Sequence, residues 1–182
     1  NDSEMLAWFE KYPPISGVGK WTYAEALLRQ SSDSYKIDNL IKDAWRDADL
    51  TESEENTLLA QFGSRINTND HTARIERLLW EGKTTPARHL IPKLTVSRQV
   101  LYQARTALIN DEKNAPFLVG QVSSELKNDP GLLFDRIQYR NRKNDKEGVR
   151  ELLLLAPKSV PYPERWWKIR EREIRRAIDE RN

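Results

Sequence analysis

The chain has 182 residues, of which 38% are hydrophobic and 32% charged, enough apolar content for one or two cores and too much for a disordered chain. Its 30 Lys and Arg against 28 Asp and Glu leave a net charge of +2, too close to balance to argue for nucleic acid on global charge, and no run of about 18 apolar residues exists to span a membrane. With no cysteine, disulfides, thiolate metal sites and cysteine nucleophiles are excluded, while the compartment stays open.

A mean hydropathy of −0.78 suits an elongated shape with much surface per residue. The first residue is Asn and no charged-then-apolar leader follows, so the sequence is expected to start after a removed signal peptide or inside a longer chain. Taken in order, steps of three and four between apolar residues predict helices over about 3–11, 18–30, 34–48, 52–65, 69–81, 85–92, 96–110, 116–127, 130–142, 146–156 and 163–180, with long and short helices alternating after residue 68. Early in the chain, Gly17-Val18-Gly19-Lys20 has the glycines and lysine of a phosphate loop but neither its spacing nor its preceding strand, and reads as a helix lead-in. Trp45 follows Leu40 and Ile41 by five and four residues, which puts it on the buried face of its helix. Thr51-Glu52-Ser53-Glu54 has capping-box spacing and marks a helix start.

From residue 80 onward three polar breaks recur: Trp80-Glu81-Gly82-Lys83, Asn110-Asp111-Glu112-Lys113-Asn114 and Arg142-Lys143-Asn144-Asp145-Lys146. Centred on 82, 113 and 144, they are spaced by about 31 residues, the range of helix-turn-helix repeats. The nine prolines sit at or near the seams between helical patterns. Pro86, Pro130 and Pro163 read as first-turn residues, with Thr85 and Asp129 as N-caps for two of them. In the last segment Trp167, Ile174, Ala177 and Ile178 fall on one apolar face. The expected fold is all-α, a superhelical array of helical hairpins with tetratricopeptide-like packing, running over 1–182 as one domain of a longer chain. Each unit of such an array contacts mainly its neighbours, so function sits on its surface or in an attached domain.

Charge is uneven. Asp43, Asp47, Asp49, Glu52, Glu54 and Glu55 crowd one segment with Arg46 alone opposing them, whereas Arg136, Arg140, Arg142, Lys143, Lys146 and Arg150 crowd another with two acidic residues, Asp145 and Glu147. Solvated helix faces account for both; a polyanion-binding patch over 136–150 is the functional alternative. Trp166-Trp167 opens a helix rich in Arg, a pairing that presents a stacking platform to sugar rings or bases, although adjacent residues point about 100° apart and at most one of the two faces outward. Core packing of Trp167, with or without Trp166, is the competing reading. His71 and His89, 18 residues apart with no ligand spacing around either, predict no metal site: His71 belongs near a helix start and His89 over a groove between helices. No cofactor motif is present.

At this point the wording of the chain becomes specific. Asp38-Asn39-Leu40-Ile41-Lys42-Asp43-Ala44-Trp45-Arg46, then Arg77-Leu78-Leu79-Trp80-Glu81-Gly82-Lys83 with Ala87-Arg88-His89-Leu90-Ile91-Pro92, then Asp129-Pro130-Gly131-Leu132-Leu133-Phe134-Asp135-Arg136, then Pro163-Glu164-Arg165-Trp166-Trp167 together resemble the N-terminal α-superhelical region of soluble lytic transglycosylases of alphaproteobacterial type, in order over Met5 to Asn182. The resemblance implies a periplasmic peptidoglycan-processing protein whose helical array supports a lysozyme-like domain further along the chain, with one Glu there acting as acid and base. That family's catalytic Glu-Ser before an apolar helix and its Gly-Leu-Met-Gln and Ala-Tyr-Asn-Ala-Gly strings are missing here, and Glu52-Ser53 lies in a helix cap, so no catalytic residue carries over. The partners it implies are peptidoglycan glycan strands and the catalytic domain of the same parent chain, with Arg136, Arg140, Arg142, Trp166 and Arg170 as the glycan-contacting candidates. The alternative from another class is a stand-alone helical-repeat adaptor that holds a protein partner in its groove, against which stands the lack of a ladder of regularly placed Asn and Lys or Arg.

Overall fold

The computed structural model describes residues 2–30 and 34–180. Among them are eleven α-helices, three short 3-10 turns and no strand. Where the sequence reads as one continuous domain, the chain divides into two compact units, Asn1–Leu94 and Thr95–Asn182.

In the first unit lie α1 (Asp2–Lys11), α2 (Gly17–Arg29), α3 (Ser34–Asp47), α4 (Glu52–Phe62), α5 (Thr68–Trp80) and α6 (Thr84–Leu90). Ser16 caps α2 by accepting from the Gly19 amide, so the Gly-Val-Gly-Lys string is a helix start as expected. Thr51 and Glu54 form the capping box, and a second one that the sequence pattern did not reveal, Asn67 with Asp70, opens α5. The core here is built on Ile37, Ile41, Ala44 and Trp45 of α3 and on Ile75, Leu78 and Leu79 of α5. Burial of the Trp45 side chain is complete, as its spacing predicted.

In the second unit lie α7 (Val96–Ile109), α8 (Ala115–Gln121), α9 (Pro130–Arg142), α10 (Lys146–Leu155) and α11 (Pro163–Asp179). Helix α7 packs on α8 and α9, and α9 on α10. The long-short alternation holds from α5 onward, at 13, 7, 14, 7, 13, 10 and 17 residues.

All three polar breaks are the same local structure. In each, a residue with positive φ follows the helix that ends there: Gly82 at 77° after α5, Asp111 at 56° after α7 and Asn144 at 57° after α9. The amide just beyond it donates five residues back, Lys83 to Leu78, Glu112 to Ala107 and Asp145 to Arg140, while the left-handed residue itself donates three back, to Leu79, Leu108 and Asn141. This is the Schellman arrangement, which satisfies carbonyls that a helix end otherwise leaves bare, and Gly, Asp and Asn are the residues that tolerate its left-handed position. The rhythm in the sequence is therefore a rhythm of helix stops.

Two expectations need correction. Thr85 is not an N-cap: it lies inside α6, whose cap is Lys83, because the preceding Schellman turn already sets where the helix can begin. Asp129 does cap α9, accepting from the Leu132 amide at 2.9 Å. On α11 the inward face is Trp166, Ile169 and Glu173, whereas Trp167, Ile174 and Ile178 are exposed. The apolar count favoured the second stripe. Packing chose the first, because the Trp166 ring meets Phe134 edge-on at 5.4 Å and the buried Glu173 carboxylate accepts from Arg176 at 2.7 Å with Arg150 and Arg172 beside it.

Candidate functional site

Most charged side chains are absorbed by the framework. Helix α3 ends without a glycine stop, and two arginines one turn apart on α5 take over its bare carbonyls. Arg74 donates to the carbonyls of Trp45 (2.5 Å) and Ala48 (2.8 Å), and Arg77 to those of Arg46 (2.6 Å) and Ala48 (3.0 Å). A cation at a helix C-terminus is also favoured by the helix dipole. Fully buried Arg74 further donates to the Glu55 carboxylate at 2.6 Å and stacks over the Trp45 ring at 4.7 Å. Burial pushes its guanidinium below the usual arginine range, and the hydrogen bond to Glu55 opposes that. In the second unit Arg105 donates to Asp135 at 2.7 Å, both groups being buried.

The acidic crowd over 43–55 is neutralised in the same way. Lys20 and Arg46 pair with Asp43 and Asp47, Arg77 and Lys83 with Asp49, and Glu54 is spent on its own cap. Asp49 is held below the usual carboxylate range by hydrogen bonds from Lys83 and Arg77, and Asp47 chiefly by that from Arg46.

Against this background one cavity of about 570 Å³ stands out in the second unit, formed by α7, α8, α9 and the turn into α10. Its apolar wall is Leu108, Pro116, Val119 and Leu132, and its polar side is Lys127, Arg136, Tyr139, Arg140, Lys143 and Asp145. The size lies within the range of small-molecule sites, and an apolar wall facing a few charged groups is their usual make-up. The basic run over 136–150 supplies most of the positive side, yet five of its six cations are occupied. Arg140 pairs with Asp145 and Glu151, Arg142 and Lys143 with Asp111, Lys146 with Glu180, and Arg150 with Glu180 and Glu173. Arg136 has no ion-pair or hydrogen-bond partner among the described residues. It is half-buried, and its guanidinium is pushed below the usual arginine range first by that burial and then by the positive charge of Arg140.

The five residues singled out from the sequence are thus separated. Arg136 and Arg140 share the cavity. Arg142 turns away to donate to the Leu108 carbonyl. Arg170 is half-exposed on α11 and does not line the cavity. Trp166 is fully buried, so its ring is closed to a sugar face; the exposed aromatic of the pair is Trp167, at 60% accessibility. Lys127 and Tyr139 were not foreseen, the first because it lies on a loop outside the basic run.

His71 lies in the first turn of α5 with its ring edge-on to Trp45 at 5.4 Å, and burial lowers its pKa from 6.5. His89 is exposed at the end of α6. Among the described residues no cluster of His, Asp and Glu has the make-up of a metal site, and no helix is long and apolar enough to cross a membrane. No protein-family model, no curated protein and no solved structure matches the chain.

Proposed function

We propose that this chain is the helical scaffold of a periplasmic peptidoglycan lytic transglycosylase, a region that supports a catalytic domain of the same parent chain and contacts anionic glycan. The observation that carries this reading is where the strings of the resemblance fall. Trp45 is a core residue, Trp80-Glu81-Gly82-Lys83 is a Schellman stop, Asp129-Pro130 is a capped helix start and Trp166 is a core residue. Strings that serve as framework positions, with no carboxylate set apart for acid-base work among the described residues, suit a supporting region rather than a reacting one.

The test is sedimentation of the purified chain with sacculi, together with chromatography of the supernatant. Salt-sensitive co-sedimentation without release of 1,6-anhydromuropeptides is the expected result. Charge screening shortens the reach of such contacts to about 8 Å at physiological salt. Release of anhydro products above a blank would overturn the scaffold reading, and a pelleted fraction indifferent to salt would overturn the glycan contact. A second reading, a stand-alone adaptor for a protein partner, is favoured by the exposed stripe of Trp167, Ile174 and Ile178 on α11. Replacing all three with Ser lowers sedimentation with sacculi only under the adaptor-like reading, in which wall proteins rather than glycan are held.

A further inference from the structure

The unpaired Arg136 gives the α7–α8–α9 cavity a chemical preference that does not depend on the peptidoglycan reading. An arginine that loses part of its hydration without gaining a carboxylate is unfavourable for the folded protein, and the neighbouring arginines of the same run all have such partners. Among the charged residues that line the cavity, Arg136 alone is both part-buried and unpaired. Arg140 is offset by Asp145 and Glu151, Lys143 by Asp111, and Lys127 is exposed to water. Lining the same cavity are Leu108, Pro116, Val119 and Leu132, apolar groups that favour an apolar body and disfavour a strongly hydrated dianion.

We infer that this cavity binds a carboxylate carried on an apolar body, the carboxylate held by Arg136 and the body lying against Pro116 and Val119, the accessible part of the apolar lining. Arginine's planar fork matches a carboxylate with two parallel hydrogen bonds. Two sources supply that chemistry: the terminal carboxylate of a peptide that ends in an apolar residue, and a medium-chain carboxylic acid.

Isothermal titration of the full chain with three probes distinguishes them: an acetylated Ala-Leu dipeptide with a free C-terminus, its C-terminal amide, and octanoate. The free acid binds about tenfold or more tightly than the amide, as expected of a charge-assisted pair. Preference for the dipeptide acid over octanoate assigns the site to a peptide terminus, and the reverse order assigns it to a free acid. Arg136→Gln lowers affinity for the acids about tenfold and leaves the amide unchanged, while Arg175→Ala, on the exposed face of α11, alters neither. Because Arg136→Gln alone could act through the fold, Gly120→Phe provides a second variant. A side chain at position 120 meets nothing within 4 Å at its Cβ and projects bulk beside the cavity, so the variant should stay folded and lose the acid. Equal affinity for acid and amide, binding unchanged in Arg136→Gln or in folded Gly120→Phe, or competition by inorganic phosphate as strong as by octanoate overturns the inference.

Discussion

Replacing Arg74 by Met keeps most of the side chain's volume while removing every hydrogen bond that its guanidinium makes, which turns the framework between α3, α4 and α5 into a measurable quantity. The lost partners are the Glu55 carboxylate, whose side chain is only 6% exposed, and the carbonyls of Trp45 and Ala48 at the bare end of α3. Breaking a buried ion pair from one side costs about 3–5 kcal/mol, because the surviving charge stays buried without compensation. Each orphaned carbonyl adds about 1–3 kcal/mol where water cannot reach it. Arg77 still reaches Ala48, so the Trp45 carbonyl is the more exposed to loss and the total belongs at the upper end of the pair's range. Glu55→Gln is gentler, since the amide oxygen still accepts from Arg74; about 1–3 kcal/mol is expected.

Urea unfolding followed by far-UV circular dichroism on wild type, both single variants and the double variant closes the cycle. In the Arg74→Met background Glu55→Gln should cost little or even help, so that the coupling is at least about 2 kcal/mol. A loss under about 1 kcal/mol for Arg74→Met, or additivity of the two changes, would show that Arg74 is solvated and that α3 is stopped by something else. If the two compact units unfold in separate transitions, Arg74→Met should move only the one belonging to Asn1–Leu94, whereas Arg105→Met should move the other.

Trp45→Ala and Trp166→Ala should each cost about 3–5 kcal/mol as buried aromatics, while Trp167→Ala should cost under about 1 kcal/mol; equal losses at 166 and 167 in the same urea assay would refute Trp166 as the inward-facing member of the pair on α11. Gly17→Ala places a Cβ 2.6 Å from the backbone nitrogen of Ala48 and should cost about 1–3 kcal/mol by forcing α2 off α3, whereas Gly120→Ala, with open space around the new methyl, should add about 0.4–1 kcal/mol; a reversed order would contradict the α2–α3 contact. The lowered pKa of His71 has a definite sign. The folded protein resists protonating this imidazole through burial and the nearby Lys93 and Arg74, with Asp70 opposing, so its contribution is complete above the unfolded value of 6.5 and is lost as pH falls through 6.5 toward the folded value. Melting temperature should therefore drop more for wild type than for His71→Gln between about pH 7.5 and pH 5.5, and parallel curves would put the ring in water.

What could be read from the sequence was local. Helix positions followed from apolar steps of three and four, and the even spacing of polar breaks from three left-handed stops, because both are fixed within a handful of neighbouring residues. What could not be read was anything settled by a partner about thirty residues away. Nothing nearby in sequence announces that Arg74 and Arg77 of α5 cap α3. On α11 the apolar spacing pointed to Trp167, Ile174 and Ile178, whereas the buried face was set by Phe134 from α9 and the arginines around Glu173. The local crowding of charge was equally misleading about the site.

The basic run over 136–150 suggested a broad patch, yet its charges are matched almost one for one by Asp111, Asp145, Glu151, Glu173 and Glu180, from other turns and helices of the same unit. Such exposed pairs contribute little each to stability, on the order of 0–1 kcal/mol, but they remove charge from the surface that a partner would otherwise feel. A single residue of the run escapes the matching, and it lines a cavity that also has an apolar lining. The pairing therefore does for recognition what it does not do for stability. By cancelling five cations it leaves Arg136 as a localised charge in place of a diffuse field, and a localised charge beside an apolar wall selects a ligand by its shape as well as by its sign.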